Sequence, residues 1–223
     1  MGIVYFRPMF YWAKGNKLLQ TLYPNWIWSV RSKEKKIYLS FDDGPHPEIT
    51  PWVLDQLKAW SARATFFCIG KNVAAHPDIY QRILMEGHRT GNHTMHHLNG
   101  WKSNTADYFN NILEAEKYID SKLFRPPYGK LTRFQGKALR DAGYEIIMWT
   151  LLSADFDIRL SPSDCWELVQ KNYRSGTILV FHDSEKAWPR LQVVLPKLLK
   201  EATAKGYTFE ALNMGSAIKN REQ

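Results

Sequence analysis

Two adjacent carboxylates, Asp42 and Asp43, stand in the run Ser40-Phe41-Asp42-Asp43-Gly44-Pro45, directly after the strand-like Lys36-Ile37-Tyr38-Leu39. A residue leaving a strand at a sharp turn points into a crevice, where open α/β sheets and barrels keep their sites. Neighbouring carboxylates repel each other unless something positive lies between them. A divalent cation that takes oxygen and nitrogen ligands is the natural partner. Imidazoles for it stand in His93-Thr94-Met95-His96-His97. On a helix, His93 and His97 at i and i+4 share a face and would bind one metal. His93 and His96 at i and i+3 would also converge, and spacing leaves that choice open. One carboxylate would then hold metal while the other acts on a water. For Asp-Asp-Gly alone, a strand-ending turn without chemistry is the competing reading.

Three further segments add chemistry. Arg125-Pro126-Pro127-Tyr128-Gly129 ends a strand in a rigid double proline, and Tyr128 is the first residue after it with a free N–H, placed to donate to a developing oxyanion. Ile178-Leu179-Val180-Phe181-His182-Asp183 reads as a buried strand ending in a histidine, a position suited to a general acid. In Trp149-Thr150-Leu151-Leu152-Ser153-Ala154-Asp155-Phe156, Asp155 is placed to pair with His182 and keep it protonated; Asp157 would serve equally. His88 reads as structural, and His46 either touches substrate or caps the turn at Glu48.

These segments need a frame to bring them together. Strand-like runs lie at 36–41, 64–70, 123–125, 144–151, 177–182 and 207–211, with a short one near 90–93. Helix-like stretches lie at 50–60, 77–86, 105–120, 132–141, 162–173 and 191–205, each with apolar residues at three- and four-residue spacing. Nearly all-apolar strands imply a sheet covered on both faces. Intervening helices imply right-handed βαβ crossovers. About seven such strands predict a barrel or a doubly wound sheet, within the one large domain that 223 residues allow.

The catalytic domain is expected over 36–223, with a distinct segment before it. Residues 1–35 mix Tyr5, Phe6, Phe10, Tyr11, Trp12, Tyr23, Trp26 and Trp28 with Arg7, Lys14, Lys17, Arg31, Lys33 and Lys35. Such a mixture suits a peripheral membrane contact. It also suits packing on the domain with the lysines left in water, which is the expectation here because Pro8, Gly15 and Pro24 interrupt helical periodicity. Lys and Arg number 30 against 22 Asp and Glu, a net charge of +8, yet no dense basic cluster marks a nucleic-acid partner. Cys68 and Cys165 lack redox or metal-ligand spacing and read as buried thiols. No signal-peptide pattern and no spanning apolar run of ~18 residues is visible. The chain therefore reads as cytoplasmic or peripheral to a membrane, unless an export signal has been trimmed away.

Taken in order, each at a strand end, the motifs resemble the signature of the polysaccharide deacetylase family, also called the NodB homology domain or carbohydrate esterase family 4. The resemblance covers about 36–212. SFDDGP is similar to the first motif, HTMHH to the second, RPPYG to the third and LVFH to the fifth. It implies an α/β fold, a distorted (β/α) barrel of about seven strands, and metal-dependent removal of N-acetyl, sometimes O-acetyl, groups from amino sugars in a glycan. It further implies Asp42 as general base, oriented by Arg125. Asp43, His93 and His97 would be ligands of a divalent metal, Zn²⁺ first among them. The Tyr128 N–H would bind the oxyanion, His182 would be the general acid tuned by Asp155, and Leu179 with Trp149 would line the acetyl pocket. The fourth motif departs from the family pattern, with Leu152 in place of an aspartate and Phe156 in place of a tryptophan. Two alternatives remain: deacylation or deformylation of a lipid-linked amino sugar, and a non-catalytic glycan-binding module using Trp101 and Trp188.

Overall fold

The computed structural model describes residues 17–213. Its eight strands are β1 (Lys36–Asp42), β2 (Thr65–Cys68), β3 (Arg89–Asn92), β4 (Leu123–Phe124), β5 (Glu145–Ile146), β6 (Leu151–Leu152), β7 (Thr177–His182) and β8 (Thr208–Glu210). All pair in parallel, seven of them in the order β5-β4-β3-β2-β1-β7-β6. The sheet curls into the distorted barrel expected from the sequence. β1 lies at its centre. β7 runs along one edge of it, while the other edge is shared between β8, against residues 36–38, and β2, against residues 40–42.

Alternation along the central strands separates two environments. Leu39 and Phe41 of β1 join Leu179 and Phe181 of β7 in the core beneath the helices α2 (Ile49–Ala59) and α8 (Trp188–Ala204). Tyr38, Phe67, Leu123, Ile147 and Ile178 form a separate cluster on the other face. Ser40 and Asp42 continue that second face toward the carboxyl end of β1, so the barrel interior changes from apolar to polar where the strands end.

The remaining helices are α1 (Lys17–Leu22), α3 (Gly70–Ala75), α4 (Pro77–Met85), α5 (Thr105–Glu116), α6 (Arg133–Asp141) and α7 (Pro162–Gln170). α6 and α7 begin in capping boxes, Thr132 with Gln135 and Ser161 with Asp164. Two sequence expectations fail locally. The apolar run 144–151 is not one strand, because its backbone changes partners. Ile147 N donates to Phe124 O, Met148 N to Ile27 O and Thr150 N to Ile178 O, leaving two-residue strands on either side. The run 64–70 stops at Cys68, and Gly70 opens the short α3, where a Cβ would come within 2.7 Å of Met95 Sδ and 2.9 Å of Ala115 Cβ.

Residues before β1 take part in the sheet. Ile27 N donates to Ile146 O (2.8 Å), and Val30 N donates to Gly176 O (3.0 Å). Isolated bridges join Ile27 to Ile147 and Ser29 to Thr177, spanning β5 and β7 across the gap in the barrel. Trp26 and Trp28 are buried beside Tyr144, Ile146 and Met148. Tyr5, Phe6, Arg7, Phe10, Tyr11, Trp12 and Lys14 lie outside the described residues. Among the described residues no helix is long and apolar enough to cross a membrane. Cys68 and Cys165 are both free and buried.

Candidate active site

Asp42 ends β1 on the inner face, where the fully buried Arg125 meets it. Arg125 Nη1 donates to Asp42 Oδ1 and to Ser40 Oγ, each at 2.7 Å. Its Nε and Nη2 donate to Ile147 O and Met148 O, both at 3.2 Å, and its guanidinium lies 4.0 Å from the centre of the Phe67 ring. The irregular stretch between β5 and β6 thus supplies the carbonyls that fix this arginine. One planar cation is held at four acceptors, and Asp42 is left with a single orientation.

Asp43 turns away from its neighbour through a left-handed backbone (φ 82°). Its carboxylate meets His93 and His97, the three ligand atoms lying within 4.8 Å of one another. Asp43 Oδ1 is 3.7 Å from His93 Nε2 and 3.2 Å from His97 Nε2. The histidines converge, but not on a helix. His93 directly follows β3, and a loop with left-handed Thr94 (φ 66°) and His97 (φ 56°) brings the second ring round. Asn92 Oδ1 accepts from Thr94 N and Thr94 Oγ1 from Leu98 N, holding that loop. His96 points elsewhere, to Asn111 Nδ2 at 2.9 Å.

The triad suits a cation. His93 Nδ1 lies 2.7 Å from Arg125 O, which makes it the N–H donor and leaves Nε2 with its lone pair toward Asp43. Burial pushes the His93 imidazole down to about 3 and also lowers that of His97, so both rings are neutral donors of electron pairs. Asp43 Oδ1 is buried without a hydrogen-bond partner. A buried oxygen left unmatched beside two imidazole lone pairs is costly until a positive charge meets it.

His182 ends β7 in register with Asp42 of β1. Asp155 holds it twice: Oδ2 accepts from His182 N (2.9 Å) and Oδ1 lies 2.8 Å from His182 Nδ1. Burial is the largest single influence on this imidazole and pushes it down. The Asp155 charge and hydrogen bond, with Asp43 and Asp42, outweigh it and raise His182 to about 9. Asp157, the other sequence candidate, binds Arg159 instead (2.6 and 2.8 Å). A cation at Asp43 would reduce that residue's share of the shift but not that of Asp155. Replacing Asp155 by Asn is therefore expected to lower the His182 pKa by more than one unit, a change readable from imidazole NMR shifts across a pH titration. In activity, an alkaline limb above pH 7 in the parent moves below it in D155N.

The structure bears differently on the remaining sequence candidates. Tyr128 sits in a left-handed conformation (φ 58°), and the loop's own hydrogen bonds run from Gly129 N to Pro126 O and from Lys130 N to Pro127 O, without its N–H. Its hydroxyl lies 3.1 Å from His97 Nδ1. Trp149 packs over Gly129, where a Cβ would come within 2.6 Å of its ring. Leu179 does not face this site. Side chains alternate along β7, so Leu179 shares the helix-facing core with Phe181 while His182 shares a face with Val180. Val180 pairs in register with Leu152 and Ser40, which places Val180 and Leu152 on the inner face near the carboxyl ends of their strands. Phe156 packs edge-on against His182 at 5.0 Å. His46 Nδ1 accepts from Glu48 N and Ile49 N, capping the start of α2, and His88 is buried with its Nδ1 accepting from Ala64 N.

Sequence reasoning missed Asp183, Thr50 and Arg190. Asp183 Oδ1 accepts from Gly44 N (3.1 Å), its Oδ2 bonds Thr50 Oγ1, and its own N donates to Asp42 O, so it clamps the turn carrying both aspartates. Burial pushes its carboxyl up to about 8. Arg190 Nε donates to Asp155 O at 2.7 Å. The signals available were slight: an aspartate directly after His182, and an arginine among the inward positions of α8.

A family model for polysaccharide deacetylase matches residues 29–147. A peptidoglycan-N-acetylglucosamine deacetylase of Bacillus cereus is 37% identical over 188 residues, covering 82% of this chain and 88% of the relative. A chitooligosaccharide deacetylase of Azorhizobium caulinodans is 30% identical, covering 69% and 76% of the two chains. A crystal structure of a peptidoglycan N-acetylglucosamine deacetylase superposes with a TM-score of 0.81 at 29% identity, covering 89% of this chain and 95% of the other. The chain belongs to the polysaccharide deacetylase family, a family of metal-dependent carbohydrate hydrolases.

Proposed function

We propose that this chain removes N-acetyl groups from an amino-sugar glycan, with Asp43, His93 and His97 holding Zn²⁺ and with Asp42 and His182 as general base and general acid. The observation that carries this reading is the pairing of Asp42 and His182 as register partners at the ends of adjacent strands, beside the Asp43 triad. A mixed imidazole and carboxylate donor set favours zinc among common divalent ions. When bound, the ion polarises the amide carbonyl and lowers the pKa of a water. Asp42, aimed by Arg125, accepts the proton of the attacking water. The Tyr128 N–H donates to the developing oxyanion. His182 delivers its proton to the amine nitrogen as the C–N bond breaks, and acetate departs. Val180 and Leu152 offer the apolar wall suited to the acetyl methyl.

The test is acetate release from N-acetylglucosamine oligomers by protein stripped with a chelator and then refilled with Zn²⁺. Release is expected to fall to the chelator-treated background and to return with the metal. Release that persists in the stripped protein would overturn the metal-dependent scheme. Release from a membrane-linked amino sugar and none from soluble oligomers would move the assignment to a lipid-carried substrate.

A further inference from the structure

Away from the metal triad, a cleft of about 230 Å³ opens between α6 and the turn that follows α1. Arg133, Lys137 and Arg140 stand along one side of it, at a spacing that puts them on a single helix face. Leu22, Tyr23 and Trp26 line the other side. Gly136 lets the two sides meet, since a Cβ there would come within 3.1 Å of the Trp26 indole. All three cations are exposed. Lys137 pairs with Asp141 at the surface (2.5 Å), whereas neither Arg133 nor Arg140 has a carboxylate partner among the described residues. The Arg133 guanidinium lies 5.7 Å from the centre of the Tyr23 ring instead. Like charges three and four residues apart repel each other, a cost that an anion over the cleft would remove.

Apolar side chains surround these cations. Phe134, in the first turn of α6, is 82% exposed. On α1, Leu19 packs inward, while Leu18 and Leu22 are 63% and 47% exposed. Residues 1–33 hold no acid, and the stretch before α1 sets five aromatic residues beside Arg7 and Lys14. Exposed apolar chains among unpaired cations, with aromatic rings at the boundary, match the headgroup layer of an anionic membrane in both polarity and charge. α6 also begins just after the Tyr128–Gly129 turn, so Arg133 and Phe134 stand at the rim that carries the candidate active site.

We propose that this face docks on an anionic phospholipid surface, with a lipid phosphate seated in the cleft beside Arg133 and Arg140, and with Phe134, Leu18 and Leu22 entering the layer around it. The inference goes beyond the deacetylase reading and stands without it.

The test is co-sedimentation of the full chain with vesicles of mixed phosphatidylglycerol and phosphatidylcholine, against vesicles of phosphatidylcholine alone. The parent is expected to bind the anionic vesicles and not the neutral ones, and to bind less as salt rises. R133Q/R140Q is expected to weaken binding about 25-fold, at about fivefold for each charge removed, and R133K/R140K to restore most of it. F134S is expected to weaken binding about fivefold while keeping the salt dependence. All three variants should keep the parental thermal midpoint, because these side chains stand in water. Binding unchanged in R133Q/R140Q or in F134S would overturn this face as the contact. So would equal binding to neutral vesicles, or no binding to either. Full displacement from the vesicles by millimolar glycerol phosphate would overturn the lipid surface and make the cleft a site for a small soluble phosphate.

Discussion

Replacement of Asp42 by Asn is expected to reduce turnover by about a thousandfold while leaving the fold intact. The amide keeps the size of the carboxylate, and its oxygen still accepts from Arg125 Nη1, so the four-point seating of the arginine persists. The ability to take a proton is lost, together with the negative charge facing Arg125. The variant should bind Zn²⁺ with near-parental affinity, since Asp43, His93 and His97 are untouched. Its thermal midpoint should fall, because the fully buried Arg125 keeps its hydrogen bonds but loses its counter-charge. Single-turnover acetate release and metal titration on one preparation check both parts. Full turnover in D42N would sink the assignment of the base, and lost zinc binding would show that Asp42 serves the metal directly.

Replacement of Arg125 by Ala is expected to be the most damaging single change to stability. Asp42 is 4% exposed and Arg125 fully buried, so removing the guanidinium strands a carboxylate in a site closed to water. Breaking a buried pair in this way typically costs about 3–5 kcal/mol, and here the carbonyls of Ile147 and Met148 also lose their donor. Arg125→Lys is expected to recover little, because one ammonium on a flexible stem cannot reach four acceptors spread around a plane. Urea unfolding of the two variants against the parent measures this. A destabilisation below about 1 kcal/mol in R125A would mean that water reaches Asp42 and that the pair is solvated.

Much of this arrangement was legible because single residue types sit where strands end. Asp42, Asp43, Arg125, Asp155 and His182 each come at or just after the end of an apolar run, while His93 follows the polar Arg89-Thr90-Gly91-Asn92, and a parallel sheet gathers such strand ends on one rim. The apolar runs themselves gave β1 and β7 nearly to the residue, since both are buried on both faces. What failed has physical causes. His93 and His97 meet through two left-handed residues, a conformation that helical spacing does not reveal. The run 144–151 is apolar apart from Glu145 and Thr150, and hydrophobicity carries no information about where a backbone changes partner. Leu179 was assigned to the pocket although it stands an odd number of positions from His182, and period-two alternation places it on the opposite face. Asp183 went unread because nothing in the sequence shows that it reaches Gly44 and Thr50, more than a hundred residues earlier.

The stitch formed by Ile27, Ser29 and Val30 also governs the order in which the molecule can assemble. These residues are synthesised before the described strands β1–β8, yet their partners at Ile147, Gly176 and Thr177 are made late. The opening segment must therefore wait, unpaired, until most of the chain has been synthesised. Such long-range closure gives a high contact order and slow final assembly. A chain cut at residue 35 would retain every residue of the proposed catalytic machinery. It would also expose the backbone groups of Ile146, Met148 and Gly176 as free edges, ready to pair with another molecule. The short stretch from Ile27 to Val30 thus doubles as a cover for these strand edges.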